Sequence, residues 1–237
     1  WLKYRFWQPR HLACATRVVA ISRHVADQLI AFGVASDRVV VVPNGIAVVR
    51  PPVPAPASED LLVIARHDAN KNLLGLLKAL ATAQQRLPHW RGVLRIVGRG
   101  VVASAELQAL RRALPRPEGL ELIQELNPVE LLAMLRNSLA LVSASLEEGF
   151  DYPVLEAKAE GIPTLLSQIP VHVEFHAGSS LFFPAEGGEE VFAVALARLL
   201  ADSRLWWDLS ASGRELALCL SVTHQQRALN AQISQLS

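Results

Sequence analysis

Short apolar runs alternate with longer amphipathic segments along most of the chain, and this alternation predicts its secondary structure. The apolar runs have the length of buried strands, and the segments between them repeat apolar residues at helical spacing. Beyond residue 57 we predict strands at Leu61–Ala65, Val93–Gly98, Leu120–Ile123, Leu139–Ser145, Thr164–Ser167 and Leu181–Phe183. We predict helices at Leu73–Arg86, Val101–Leu114, Pro128–Asn137, Val154–Glu160, Glu189–Ala201 and Ser203–Leu220. This order is typical of an α/β fold with a Rossmann-like parallel sheet and helices on both faces.

The first 50 residues carry a shorter version of the same pattern. We predict a strand, a helix and a second strand there, at Arg17–Ser22, Arg23–Phe32 and Val39–Val42. A proline-rich linker at residues 51–56 cannot join a sheet, so we place a domain boundary there. The chain therefore divides into residues 1–50, the linker 51–56, a domain at 57–220 and a closing helix at 221–237. That helix carries Leu229, Ile233 and Leu236 on one face and needs an apolar partner.

Composition narrows the class of protein. Of 237 residues 51% are hydrophobic, so a full core can be buried, and the net charge of +1 gives no support to nucleic-acid binding. No apolar run approaches the roughly 18 residues that span a bilayer. The segment Trp1–Ala15 is aromatic and basic, and we interpret it as an amphipathic helix that either packs on a sheet or lies against a membrane surface. We expect Cys14 and Cys219 to pack as small hydrophobic residues in a reducing compartment. Because the chain begins at Trp1 and not at Met, we interpret it as a fragment or a processed chain.

Two carboxylates eight positions apart flank the loop between a predicted strand and a predicted helix. Glu148 follows the strand, and Glu156 lies in the first turns of the helix. In open α/β sheets ligands bind at the carboxyl ends of strands, where helix N-termini also offer unpaired N–H groups to anions. A Glu near a helix N-terminus can also simply stabilise the helix dipole, so the pair alone does not establish a site.

Two cations are predicted at the same edge of the sheet. Arg66 ends one strand, and Lys71 lies close to the start of the next helix. Fixed positive charge beside helix N–H groups is suited to a phosphate, although an ordinary solvated loop remains the alternative. Gly98 ends another strand, in a tight turn or where a ligand approaches the backbone closely. The third glycine of a dinucleotide fingerprint is missing, so no NAD site is predicted.

The seven histidines show no spacing typical of metal ligands. His172 and His176 are four positions apart and could share a helical face, but no third ligand is near. We therefore expect no metal site.

The ordered set of these motifs resembles the family 4 retaining glycosyltransferases of the GT-B fold. The run Glu-Gly-Phe-x-x-Pro-x-Leu-Glu-Ala-x-Ala-x-Gly-x-Pro extends from Glu148 to Pro163, after the Arg66 and Lys71 pair and Gly98. The resemblance covers almost the whole chain and implies two Rossmann-like domains with a cleft between them. Residues 1–50 would be the end of the N-terminal, acceptor-binding domain, and residues 57–220 would be a complete donor-binding domain.

The resemblance also implies a role for each motif residue. Arg66 and Lys71 would hold the diphosphate of the donor, Glu148 would bind the transferred sugar, and Glu156 would accept hydrogen bonds from the ribose. Further donor contacts are implied for Gly98, Gly149, Phe150, Asp151 and Leu155. No divalent metal or other cofactor is expected, because the two cations neutralise the leaving group. The family usually has Gly where Asp151 stands.

The implied function is retaining transfer of a hexose from a nucleotide-diphosphate sugar to a glycan or lipid-linked acceptor, in polysaccharide or lipopolysaccharide synthesis. The segment Ser167–Glu174 resembles members that use GDP-mannose or a related GDP-deoxyhexose. A non-catalytic binding module and a sugar-nucleotide epimerase are the alternatives, and the paired-Glu motif speaks against the epimerase. We expect a cytoplasmic location, with peripheral contact with the inner face of the cytoplasmic membrane left open. We also expect that residues 1–237 alone do not transfer sugar.

Overall fold

A computed structural model describes residues 12, 14–47 and 58–235, which form two parallel sheets with their flanking helices. The smaller sheet pairs β1 (Val18–Ala20) with β2 (Val39–Val41), and α1 (Arg23–Ala31) connects them. Ser22 caps α1 by accepting a hydrogen bond from Val25 N, as its place between strand and helix favours. Most of the helix predicted at Trp1–Ala15 and all of the proline-rich linker lie outside the described residues.

The larger sheet confirms the predicted α/β class. Its strands are β3 (Leu61–Ile64), β4 (Leu94–Val97), β5 (Leu120–Ile123), β6 (Ala140–Ser143), β7 (Thr164–Ser167) and β8 (Leu181–Phe183). The helices around it are α2 (Leu73–Arg86), α3 (Ala105–Ala113), α4 (Pro128–Arg136), α5 (Tyr152–Ala159), α6 (Pro170–His176), α7 (Glu189–Ala201), α8 (Ser203–Cys219) and α9 (Val222–Ser234). The short helix α6 and the 3₁₀ helices at Ala69–Lys71 and Pro117–Gly119 were not predicted, and the boundaries of the other elements differ by a few residues.

The strand order defines where this sheet can bind a ligand. All six strands are parallel and lie in the order β5-β4-β3-β6-β7-β8. The chain runs outward from β3 to β5 and then returns to the other side of β3 to form β6. In open α/β sheets such a reversal separates the loops at the carboxyl ends of the two central strands and opens a crevice between them. The loops after β3 and β6 are therefore the predicted walls of a site.

Alternating side chains of the strands build a core on each face of the sheet. Leu61 and Val63 of β3 pack in the cluster that includes α2, α7 and α8, whereas Leu62 packs with α4 and α5. Burial on both faces explains why the strands are continuous apolar runs. The two faces together hold the strand ends, and hence the loops of the site, in fixed positions.

A third cluster joins the smaller sheet to the larger one. Its members are Phe150, Leu155, Ala159 and Ala217, with Ile21, Ile46, Phe175 and Leu220 packed against them. Backbone hydrogen bonds reinforce this contact, because Ile46 N donates to Leu220 O at 2.8 Å and Val222 N donates to Ile46 O at 3.0 Å. Gly45 lies so close to the backbone of Ser221 that a side chain there would collide with it.

Two expectations about apolar packing have different outcomes. The expectation for the cysteines was wrong, because Cys14 and Cys219 are both exposed. The closing helix α9 has no fully buried residue. Leu229 of its predicted apolar stripe is half-buried and Ile233 is 64% exposed, so the described residues cover this stripe only in part. None of the helices in the part of the chain that the structure describes combines the length and apolar character needed to cross a membrane.

Candidate functional site

The structure brings the predicted cation and carboxylate together across the crevice between β3 and β6. Lys71 Nζ lies 2.5 Å from Glu148 Oε1, although the two residues are 77 positions apart. Their side chains are 18% and 12% exposed, so the ion pair is partly shielded from solvent. The two loops are also tied through the backbone, since Leu146 N donates to Asn70 O at 2.7 Å. The loops after β3 and β6, where the strand order reverses, therefore hold an organised pair of opposite charges.

Glu148 has a second partner on the same oxygen. Ser145 Oγ donates to Glu148 Oε1 at 2.6 Å, so the serine and Lys71 both bind this oxygen. The other oxygen, Oε2, has no hydrogen-bond partner among residues 12, 14–47 and 58–235. Glu148 can therefore accept hydrogen bonds from a ligand without losing its contacts to the protein.

Arg66 lies at the same edge in a different environment. Its guanidinium pairs with Asp68 at 3.1 Å, and its side chain is 72% exposed. An ion pair at this level of exposure contributes little to stability, so Arg66 can turn toward an anion at small cost.

Asp151 begins α5 in the left-handed conformation, with φ 67°. Its carboxylate turns inward, where Oδ2 accepts a hydrogen bond from Ser143 Oγ at 2.6 Å and lies 2.9 Å from His172 Nε2. Burial alone would raise the pKa of this carboxyl, but its contacts with His172 and Ser143 and the charge of Lys71 outweigh burial and lower the pKa. This partnership was not predicted, because the spacing of His172 relates it only to His176.

Glu156 is exposed on α5 and borders a cavity of about 430 Å³. Apolar side chains of α4, among them Leu131 and Leu135, form much of the cavity wall, and Ile64 at the end of β3 completes it. Loss of solvent, followed by the negative charge of Asp151, raises the pKa of the Glu156 carboxyl. A carboxylate held in this way can gain from a ligand that donates hydrogen bonds to it.

A smaller cavity of about 200 Å³ adjoins Glu148. It is bounded by the loop after β6, by the start of α6 and by His24 of α1. The smaller sheet thus contributes a side chain to a cavity at the edge of the larger sheet. A further cavity of about 280 Å³ lies between the start of α2 and the loop before α7, and among the predicted site residues none lines it.

A glutamate of α6 holds α1 against this edge. Arg23 N and His24 N, at the start of α1, donate to Glu174 Oε1 and Oε2 at 2.8 and 3.2 Å. Gln28 Nε2 donates to Glu147 Oε1 at 2.9 Å. The two bonds to Glu174 satisfy backbone N–H groups that the start of a helix otherwise leaves unpaired. None of these contacts was predicted from the sequence.

The remaining predicted donor contacts lie deeper. At Gly98 a side chain would collide with the Ala65 carbonyl, and at Gly149 a Cβ would lie 3.3 Å from Ile21 Cδ1. Phe150 and Leu155 are 4% and 0% exposed in the cluster between the sheets. Contacts from Phe150 and Leu155 to a ligand would therefore come from their backbone, and their assignment stays a prediction.

His172 and His176 do not face a common ligand position. His172 is engaged by Asp151, whereas neither ring nitrogen of the buried His176 has a hydrogen-bond partner among the described residues. Burial, with the charges of Lys158 and His172, lowers the pKa of His176 to about 2. Within the same residues there is no group of three or more His, Cys, Asp or Glu side chains that could hold a metal ion.

Comparisons with known proteins bear on both parts of the chain. A family model described as glycosyl transferases group 1 matches residues 58–202, and one described as Glycosyltransferase Family 4 matches residues 1–50. The GDP-mannose:cellobiosyl-diphosphopolyprenol alpha-mannosyltransferase of Xanthomonas campestris is 31% identical over 161 residues, which are 66% of this chain and 41% of that protein. The protein of the same name from Xanthomonas oryzae pv. oryzae is 30% identical over 168 residues, 69% of this chain and 43% of the relative. The chain thus spans about two fifths of the length of these curated relatives.

Solved glycosyltransferase structures share the fold. The lipopolysaccharide outer core galactosyltransferase WaaB, in its apo form, superposes with a TM-score of 0.70 at 21% identity, covering 93% of this chain and 62% of that chain. TarM superposes with a TM-score of 0.80 at 13% identity, covering 96% of this chain and 45% of TarM. Anabaena HepE in complex with UDP-glucose superposes with a TM-score of 0.79 at 15% identity, covering 93% of this chain and 64% of HepE.

Proposed function

This chain belongs to the family of group 1 glycosyl transferases, and we propose that it forms the donor-binding part of a retaining enzyme that transfers a hexose from a nucleoside-diphosphate sugar. We further propose GDP-mannose or a related GDP-deoxyhexose as the donor, and a glycan or lipid-linked glycan as the acceptor. The names of the Xanthomonas relatives support both choices, since they specify GDP-mannose and a diphosphopolyprenol-linked disaccharide. Family membership also disfavours the epimerase alternative.

The geometry supports a donor laid along the carboxyl edge of the sheet. Adjacent strands are about 4.8 Å apart, so a ligand that crosses from β6 over β3 passes the positions of Glu148, Lys71 and Arg66 in turn. In this arrangement the hexose occupies the cavity beside Glu148, and the diphosphate meets the two cations. The ribose and base then occupy the larger, mostly apolar cavity that Glu156 borders.

The chemistry that follows is leaving-group stabilisation. Cleavage of the sugar–phosphate bond develops negative charge on the diphosphate, and preorganised cations stabilise that charge most strongly in the transition state. Lys71 is suited to this because its ammonium is already held at the edge by Glu148. With attack from the same face as the departing diphosphate, a phosphate oxygen takes the proton of the acceptor hydroxyl and the configuration is retained.

The observation that carries the proposal is the meeting of Lys71 and Glu148 across the strand-order reversal, with Glu156 beside the adjoining cavity. The direct test is calorimetric titration of GDP into the 237-residue chain and into Glu156→Gln. The substitution keeps the size of the side chain but removes a charge-assisted hydrogen bond, which contributes about 1.5–3 kcal/mol, so GDP affinity should fall about tenfold or more. Because the pKa of Glu156 is raised, the folded protein disfavours its ionised form, and the empty variant should melt no lower than the parent.

Glu215→Gln is the matched control, since Glu215 is an exposed carboxylate on α8. It should change neither GDP affinity nor the melting temperature. Equal GDP affinity in a well-folded Glu156→Gln protein would reject the assignment of this edge as the donor site. UDP titrated in parallel tests the nucleotide choice, and tighter binding of UDP than of GDP would overturn it.

A further inference from the structure

Asp151 stands where the backbone is left-handed, at the start of α5. With φ 67° the position suits Gly best, and among residues with a side chain it is tolerated mainly by Asn and Asp. Its carboxylate is nevertheless 3% exposed, against a His172 ring that is 0% exposed. A buried charge is tolerated when a partner compensates it. The burial of Asp151 therefore raises the question whether His172 is positively charged.

The hydrogen-bond pattern around His172 fixes the number of protons on its ring. Nδ1 lies 2.8 Å from Ser167 O, and a carbonyl oxygen can only accept, so Nδ1 carries a proton. Nε2 lies 2.9 Å from Asp151 Oδ2, which already accepts from Ser143 Oγ. An ionised carboxylate can only accept as well, so Nε2 also carries a proton and the ring is an imidazolium. Burial raises the pKa of the Asp151 carboxyl, and contact with His172, the Ser143 hydroxyl and the charge of Lys71 together lower it.

The other charged groups nearby do not replace His172 in this role. His176, on the same helix, lies 6.2 Å from His172 between ring centroids, and its pKa of about 2 keeps it neutral. Lys158, on α5, bonds to Ser179 and Ser180 instead. Lys71 lowers the pKa of Asp151 by its charge but contacts Glu148.

We propose that His172 is the charged counter-ion of Asp151, and that this buried pair holds the loop Gly149–Asp151 in its donor-binding form. His172 is then a positioning residue, which acts on the donor through Asp151 and not by touching it. This proposal rests on the proposed function, because the loop it holds lies between the two glutamates assigned to the donor.

The pair matters because the ligand is an anion. Asp151 is close enough for its charge to raise the pKa of Glu156 and to interact with Lys71. If the charge of His172 were lost, the carboxylate would oppose the diphosphate and compete for Lys71. An uncompensated Asp151 carboxylate would also move toward water to be solvated, and this movement would shift the backbone of the loop before α5.

A double-mutant cycle separates this role from simple packing. We would compare the parent chain, His172→Gln, Asp151→Asn and the double variant by calorimetry with GDP. Glutamine keeps hydrogen-bonding capacity at position 172 but cannot be charged, while asparagine keeps the left-handed preference at position 151 and removes the negative charge. His172→Gln should weaken GDP binding about tenfold or more in the parent and less than about threefold in the Asp151→Asn background, because residues in one ion pair are energetically coupled. An equal loss in both backgrounds would overturn the proposal.

Nitrogen NMR of the histidine ring at pH 8 gives an independent readout. The proposal expects protons on both ring nitrogens of His172 in the parent chain, because each nitrogen faces an acceptor oxygen. In Asp151→Asn, whose amide can donate to Nε2, only Nδ1 should carry a proton. A neutral His172 in the parent chain would refute the ion pair, and this readout does not depend on whether His172→Gln folds.

The outcome remains distinguishable if the proposed function fails. If the parent chain binds neither GDP nor UDP, the donor assignment is wrong, and hydrogen exchange of the amides at 149–151 then tests the positioning. Exchange should be faster in His172→Gln and return toward the parent rate in the double variant. Unchanged exchange in His172→Gln would show that the pair does not hold the loop.

Discussion

At the scale of residues, most charges of the candidate site already have partners before any ligand binds. Lys71 pairs with Glu148, His172 with Asp151, and Arg66 with Asp68. A diphosphate that enters this edge must therefore redirect existing contacts. Since the most exposed pair is the weakest, we expect Arg66 to move first and Lys71 to keep its place.

Lys71 should affect transfer more than binding. In Lys71→Ala the cation that we propose faces the growing charge of the leaving group is lost, so turnover should fall about a hundredfold or more, while GDP affinity falls about tenfold or less. The measurement is steady-state kinetics, in a chain long enough to transfer sugar, together with GDP calorimetry. Lys78→Ala, at an exposed position of α2, is the control and should change neither quantity.

Two results would contradict this assignment. Losses of the same size in turnover and affinity would mean that Lys71 binds the donor equally well in the ground state and in the transition state. Activity absent already in the unsubstituted enzyme, with GDP binding intact, would favour the non-catalytic module.

The sequence predicted the residues that strand ends bring together and missed those that depend on helix packing. Glu148 and Lys71 could be found because parallel strands place their following loops at one edge. The partner of Asp151 lies 21 residues away on α6, and only the packing of that helix shows that His172 faces the start of α5. Cys219 was wrongly expected to be buried, since an apolar neighbourhood in sequence does not establish which helix face looks inward.

At the scale of elements, α5 is held at both ends by unusual interactions. Its start is fixed by Asp151, and near its end Lys158 is 1% exposed. The ammonium of Lys158 donates to Ser179 O, Ser179 Oγ and Ser180 Oγ, in the turn before β8. Burial lowers the pKa of Lys158 to about 7. The fold therefore buries a side chain that gains or loses its charge near neutral pH.

Lys158 should make stability rise with pH above neutrality. Its pKa is 10.5 when solvated and about 7 when folded, so between these values the unfolded chain binds the extra proton and folding becomes more favourable as pH rises. Relative to Lys158→Met, the free energy of unfolding of the parent should increase by about 1 kcal/mol per pH unit from pH 7 to 10. Urea denaturation at several pH values measures it.

Lys78→Met provides the comparison, because Lys78 is exposed and its substitution should leave the pH slope unchanged. A slope that is the same in the parent and in Lys158→Met would mean that the folded state keeps Lys158 protonated throughout this range.

Among elements, the long apolar strands were predictable and α6 was not. The strands of the larger sheet are buried on both faces and so are apolar along their length. Helix α6 has seven residues and begins with Pro170, and such a short segment carries too few turns for a periodic pattern. Because α6 supplies both His172 and Glu174, missing it also hid two contacts of the site.

At the scale of the whole molecule, the smaller sheet leaves apolar surface uncovered. Parallel sheets are normally covered on both faces, but the described residues give this one two strands, and Val19 and Val41 are 43% and 39% exposed. On α1 and just after it, Ile30 and Phe32 are 41% and 50% exposed. The division at the linker stays a prediction, but this surface is what an incomplete sheet would show.

We expect this surface to make the 237-residue chain self-associate. Val19→Thr combined with Val41→Thr should reduce light-scattering mass at high concentration and lower the binding of a dye specific for apolar surface, since threonine keeps the β-branched shape. Val129→Thr is the control, because Val129 is 77% exposed on α4. A parent chain that stays monomeric without binding the dye would show that the exposed valines attract no partner.

The contact at Ile46 has a mechanical consequence. Ile46 bonds to the backbone of Leu220 and Val222, the cluster of Phe150 and Leu155 packs beside it, and Glu174 binds the start of α1. A body attached to another at several separate places cannot rotate without breaking at least one of the attachments. The smaller sheet is therefore expected to keep one orientation over the strand ends, and a cut in the chain between residues 47 and 58 would leave these attachments in place.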